Sequence, residues 1–146
     1  MARHEQKDVT FEVPQGWEDR TVVAYASPKS ADKTAITNFV MTRDTLSSGE
    51  TLQTYADRQL AEIAKRLPAF ELLDSLEVRL GGVPASQLLF CWDGANGPLV
   101  QRLTMVVLAD KILTFTSTAP KSLADQMAPH FDAILSSVRF PGAPTT

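Results

Sequence analysis

Residues 51–68, TLQTYADRQLAEIAKRLP, decide how the rest of this chain is read. Wound at about 100° per residue, Leu52, Tyr55, Ala56, Leu60, Ile63, Ala64 and Leu67 share one broad apolar stripe. Asp57, Arg58, Glu62 and Lys65 fall outside it. That is an amphipathic helix with one face to bury. Ser48 or Thr51 stands near its start as a cap, and Pro68 ends it. Gln59 breaks the pattern, because it projects within about 20° of Leu52, where a Leu is expected. A carboxamide carries donors and an acceptor that need partners, and burying it unpaired costs about 1–3 kcal/mol. Either a nearby loop of the same chain supplies those partners, or a ligand does.

Working outward toward the N-terminus, residues 1–8 are polar and read as a flexible terminus. Val9–Val13 alternates as a first strand, closed by the turn Pro14-Gln15-Gly16. Thr21–Ser27 is a second strand, with Val22, Ala24 and Ala26 on one side and Val23 and Tyr25 on the other. After a polar loop from Pro28 to Lys33, Ile36–Arg43 is a third strand.

Beyond the helix, Phe70–Leu80 reads as a strand that Gly81-Gly82 turns into Val83–Trp92. Asn96-Gly97 is the strongest hairpin signal, since both residues tolerate φ > 0. It leads to Leu99–Ala109, which Asp110-Lys111 turns into Ile112–Thr118. Leu123, Met127, Phe131, Ile134, Leu135 and Val138 then recur at helical spacing, for a second helix over about 122–138. The last residues, 142–146, read as a flexible tail. Runs of hairpins with two amphipathic helices make an α+β domain, an antiparallel sheet of about six to seven strands flanked by two main helices.

Leu99–Ala109 carries a second misplaced amide. Leu99, Gln101, Leu103, Met105, Val107 and Ala109 share a face, so Gln101 sits among aliphatic residues. The strand is apolar on both faces, yet two helices cannot blanket both sides of so broad a sheet. An uncovered apolar patch marks a binding site. The alternative is that Gln101 bonds to solvent or to the Asn96-Gly97 turn.

The chain has 146 residues, 44% hydrophobic and 21% charged, as in one ordinary globular domain. A net charge of −3 without Lys/Arg runs argues against nucleic acid and anionic membrane surfaces as partners. A single cysteine, Cys91, suits a reducing compartment. MARHEQKDVT has no apolar segment like a signal peptide's, and no stretch reaches the roughly 20 apolar residues of a membrane span. A cytoplasmic location is expected. His4 and His130 lack partners at metal-ligand spacing, Cys91 lies in an apolar strand, and no glycine loop resembles a phosphate cradle. No catalytic site, metal or cofactor is expected, and the chain reads as a binding module rather than an enzyme.

Several stretches carry a family likeness: Phe11-Glu12-Val13-Pro14 with Gly16-Trp17 and Asp19, Phe39-Val40-Met41-Thr42-Arg43-Asp44, Tyr55-Ala56 with Arg58-Gln59-Leu60, and Leu67-Pro68-Ala69-Phe70. Gly82-Val83-Pro84-Ala85 and Gln101-Arg102-Leu103 follow in the same order. Together they resemble the DcrB-like domain family, particularly its cytoplasmic branch, the effector-associated (Eag) chaperones of bacterial type VI secretion. The likeness covers residues 9–141 as a single domain. It implies a PsbP-like α/β/α sandwich, usually paired into a homodimer. It also implies a client, the N-terminal transmembrane region of an effector with a PAAR spike domain, often an Rhs toxin, shielded until it is loaded on the secretion spike. By the same resemblance the client-binding face takes in Val22, Ala24, Val40, Gln59, Ile63, Leu67 and Gln101. Ala24 and Ile63 depart in size from the family pattern and would reshape the groove. The competing expectation is a small-molecule or lipid-binding module that uses the same apolar face, with a co-purifying ligand and a monomeric state.

Overall fold

Four long strands that follow the first helix form the frame on which everything else is laid. The computed structural model describes residues 2–5, 9–18, 20–27 and 37–141. In chain order the elements are β1 (Ala2–Glu5), β2 (Thr10–Val13), β3 (Val23–Ala26), β4 (Asn38–Thr45), α1 (Leu52–Arg66) and β5 (Glu71–Leu80). Then come β6 (Val83–Gly94), β7 (Gly97–Leu108), β8 (Lys111–Pro120), a 3-10 turn (Lys121–Leu123) and α2 (Ala124–Ser136). β3 to β8 make one antiparallel sheet of six strands in the order β3-β4-β8-β7-β6-β5.

Two sequence expectations need correction. Residues 2–5, read as part of a loose terminus, form β1 and pair with β2 in a separate two-stranded ribbon, Ala2 opposite Val13 and Glu5 opposite Thr10. The strand read at Val9–Val13 therefore lies outside the main sheet, and the sheet has six strands. Alternation in a sequence predicts a strand but not its neighbour. The third strand begins at Asn38 and runs on to Thr45; Ile36 lies outside the described residues. The second helix begins at Ala124 after a 3-10 turn and ends at Ser136.

Turn chemistry explains how the hairpins close. Gly81 and Gly82 both take positive φ, +57° and +83°, as a two-residue mirror-image turn requires. At the next hairpin Gly97 takes φ +121° while Asn96 stays at negative φ, so only half of the Asn-Gly signal is used. The β7–β8 turn falls one residue earlier than expected, on Ala109-Asp110, with Ala109 left-handed at φ +57°. A non-glycine residue there is strained locally. The long antiparallel pairs on either side hold it in place.

Alternation then sorts the strands into two faces. On one, Leu88, Phe90, Leu103, Met105 and Ile112 meet Tyr55, Ala56 and Ile63 of α1. On the other, Leu80, Ala85, Val106 and Phe115 meet Leu135, with Val138 and Phe140 just beyond α2. α1 is held at its start by a reciprocal cap, in which Thr51 Oγ1 accepts from the Thr54 backbone N–H and Thr54 Oγ1 accepts from the Thr51 N–H. A helix on each face of one antiparallel sheet gives the α/β/α sandwich.

Candidate functional site

α1 packs chiefly on β6 and β7, which lie on one half of the sheet. The other half of the same face, β8-β4-β3, carries a different set of residues. Strand register fixes which ones. Gln101 pairs with Thr118, Leu103 with Thr116 and Met105 with Thr114. Thr118, Thr116 and Thr114 pair in turn with Asn38, Val40 and Thr42. Asn38 and Val40 pair with Ala26 and Ala24. Since paired residues project to the same side, Ala24, Val40 and Gln101 all lie on the α1 face. Val22 lies just ahead of β3, outside the paired register. Three of the expected site residues, distant in sequence, thus share one surface.

That surface is open toward its edge. Val22 is 57% exposed and Ala24 is exposed, while Val40, Thr42, Thr114 and Thr116 are half-buried. β3 is an edge strand of the sheet. Two small alanines, a valine and a threonine ladder make a shallow floor of methyl groups and hydroxyls, with the carboxylate of Asp44 further along β4 on the same face.

The helix supplies one wall. Tyr55 donates its hydroxyl hydrogen to Asp44 Oδ2 (3.3 Å) on β4, which marks the side of α1 that faces the open half. Gln59 lies one turn further on the same side, half-buried, and its amide has no hydrogen-bond partner among the described residues. Ile63 is 6% exposed and belongs to the core, supporting the wall from beneath. Leu67 is the half-buried helix C-cap, packed on the same cluster. Burial and the carboxylate of Asp44 raise the pKa of Tyr55 above its ordinary value, so its hydroxyl stays a donor at neutral pH. Arg58 stacks over the Tyr55 ring at 5.1 Å and binds Glu50 through Nε (3.0 Å) and a second nitrogen (3.2 Å). This pairing lowers the pKa of Glu50.

Gln101 differs from Gln59 in its bonding. Its Oε1 accepts from Trp92 Nε1 at 2.6 Å, and its Nε2 donates to Thr118 Oγ1 at 2.9 Å. Two cross-strand neighbours, not the Asn96-Gly97 turn, bond its amide. Gln101→Leu is expected to leave both partners unpaired and to lower unfolding free energy by about 1–3 kcal/mol, read by urea denaturation. An unchanged midpoint would mean that water replaces the amide.

Sequence reading missed Trp92, Asn38 and the threonine ladder as parts of this surface. The ladder was visible in TFTST as hydroxyls at a period of two. Asn38 Oδ1 is buried without a partner, beside a cavity of about 250 Å³ that Gln101 and Thr118 also line. No group of three or more His, Cys, Asp or Glu suited to a metal occurs among the described residues. Cys91 is buried, with Sγ 3.8 Å from Glu71 Oε2.

Comparison with known proteins puts this geometry in context. Over 124 residues, 84% of this chain and 85% of the relative, the sequence is 25% identical to Effector EagT6 of Pseudomonas aeruginosa. A crystal structure of a Pseudomonas aeruginosa protein of unknown function, PA94, superposes with a TM-score of 0.79 at 23% identity, over 99% of both chains. The cell-envelope biogenesis protein LpqN of Mycobacterium tuberculosis superposes at 0.62 with 15% identity, over 84% of this chain and 85% of its own. The solution structure of Synechocystis PsbP (CyanoP) superposes at 0.55 with 15% identity, over 93% of this chain and 89% of its own. These likenesses make the sandwich PsbP-like in fold. The DcrB family model matches residues 8–137, nearly the whole chain, and the chain belongs to the DcrB family.

Proposed function

We propose that this protein is an effector-associated chaperone of type VI secretion, which binds and shields the N-terminal transmembrane helices of a PAAR-containing effector before it is loaded on the spike. One observation carries the reading: Ala24, Val40 and Gln101 lie on one face of the sheet, on the half that α1 leaves open, and the amide of Gln59, without a partner among the described residues, is on the helix side that borders it. The similarity to EagT6, whose name is that of the branch the sequence motifs resemble, supports the same reading.

The chemistry fits a membrane helix as ligand. Such a helix brings aliphatic side chains, close-packing small residues and occasional polar groups. Alanines at 24 and 26 let it approach the strand closely. Thr116 and the Gln59 amide can bond its polar groups without the desolvation cost of a full charge. The protein acts by holding its client rather than by catalysis, works as a homodimer, and meets the client in the cytoplasm. No helix among the described residues is long and apolar enough to cross a membrane.

Affinity purification of the tagged protein from its native cells, followed by mass spectrometry, tests the proposal. One large co-purifying protein with N-terminal transmembrane helices and a PAAR domain is the expected result. Recovery of the chain alone, or with a bound metabolite in the same groove, refutes it. Gln59→Leu is expected to lower the steady-state level of that client severalfold while the chaperone stays folded, because the half-buried amide makes no bond among the described residues. Quantitative immunoblotting of the client checks this, and unchanged levels would remove Gln59 from the binding face.

A further inference from the structure

The opposite face of the sheet carries a second cleft that the chaperone reading does not use. Its volume is about 490 Å³, and it lies between the β4–β8 end of the sheet and the segment that follows α2. Arg43, Lys111 and Arg139 line it together with Leu113, Phe115 and Phe140, and no Asp or Glu is among its lining residues. All three cations are exposed, whereas Phe115 is buried and Leu113 and Phe140 are half-buried.

The register gives the cleft a direction. Lys111 opens β8 opposite Thr45, and Arg43 pairs with Leu113, so both cations sit toward the β7–β8 turn. Phe115 lies further along the same face, toward the middle of the sheet. Lys111 and Arg43 thus rim the turn end of the cleft beside Leu108 and Leu113, and the floor beyond them, at Met41 and Phe115, is apolar. Arg43 reaches the Thr21 carbonyl at 3.4 Å, a long contact. Neither Lys111 nor Arg139 has a carboxylate partner among the described residues. In a chain of net charge −3, three cations meeting on one apolar cleft form a local field of opposite sign.

We infer that this cleft binds a single-chain anionic amphiphile, a long-chain carboxylate, with the head between Arg43, Lys111 and Arg139 and the tail along Leu113 and Phe115. Its volume falls in the usual range for small-molecule clefts, which are mostly apolar with a few placed polar groups. Arg and Lys hold a carboxylate through charge-assisted bonds, and the hydrocarbon covers the exposed parts of half-buried Leu113 and Phe140. An acidic peptide would match the cations but leave the graded apolar floor without a function.

Calorimetric titration of the delipidated full-length protein with dodecanoate, below its micellar concentration, tests the site. One saturable event is expected, with dodecyltrimethylammonium and acetate giving none. Charge reversal at Arg43, Lys111 and Arg139, all on the surface, is expected to weaken binding by about tenfold or more. Leu113→Glu should abolish it, and circular dichroism reports whether each variant is folded. Val40→Asp on the opposite face should leave dodecanoate binding unchanged. The inference is overturned by equal binding of the cationic amphiphile, by full affinity in the folded charge-reversed protein, or by a Glu-rich peptide saturating these residues where dodecanoate does not. None of these outcomes bears on the client pull-down, so the two readings stand or fall separately.

Discussion

Phe90→Ala is expected to lower the unfolding free energy by about 3–5 kcal/mol, the largest effect of any single substitution considered for this fold. Phe90 is 1% exposed and stands in the middle of β6, under α1. Its ring lies 5.4 Å from that of Phe70, tilted by 40°, an arrangement that adds to simple burial. Leu88 and Met105, 2% and 0% exposed, fill the space beside it. Two-residue hairpin turns fix β6 against β5 and β7 in long register, so the backbone cannot collapse into the vacated volume. A cavity would remain, and its cost adds to the lost transfer free energy. Urea or thermal unfolding followed by circular dichroism measures the loss. A change under about 1 kcal/mol would mean that α1 can settle onto the sheet, and that the wall of the candidate site is softer than the packing implies.

The substitution also connects core to site. Phe90 pairs with Gln101 across β6–β7, and Ile63 and Leu67 of α1 belong to the same cluster. The open half of the sheet is usable only while α1 stays in place beside it. Stability and function share those residues here, which is why core variants are poor tests of binding.

Much of this was legible in the sequence. The stripe on 52–67 predicted α1 within a residue, because seven apolar positions at a 3.6 period leave little freedom. The alternation in VVAYA and LVQRLTMVVLA put Ala24 and Gln101 on the correct faces, since a period of two allows only two choices. The family motifs pointed to residues scattered along the chain without saying how they meet. What the sequence withheld was pairing. Nothing in the alternation of Val9–Val13 says that it leaves the main sheet to join residues 2–5. Nothing local to Gln101 says that Trp92 and Thr118 would satisfy it, because both partners come from strands fixed by register over the whole hairpin. Gln59 and Gln101 looked alike as anomalies, yet the fold answers one and leaves the other open.

Ala24→Asp and Val40→Asp are each expected to abolish client binding with the chaperone still folded. Ala24 is exposed on the edge strand β3, so a carboxylate there faces water in the free protein and costs the fold little. Val40 is half-buried directly opposite it and costs somewhat more. Once a transmembrane helix lies over this surface, the carboxylate is buried against apolar side chains, and no Lys or Arg pairs with position 24 or 40 in the described register. An uncompensated charge in that position costs about 3–5 kcal/mol, which corresponds to more than about 100-fold in affinity. Tyr25→Asp is the matched control. Tyr25 neighbours Ala24 in the same strand and is 72% exposed, but it projects to the other side of the sheet. The same charge one residue away should leave client recovery intact. Co-purification of the client with each variant, beside its thermal midpoint, gives the comparison. If all three variants lose the client equally, the contact is a matter of net charge near an edge. If only Ala24→Asp and Val40→Asp lose it, the client lies on the α1 face of the sheet, across the alanines and threonines that the helix leaves uncovered.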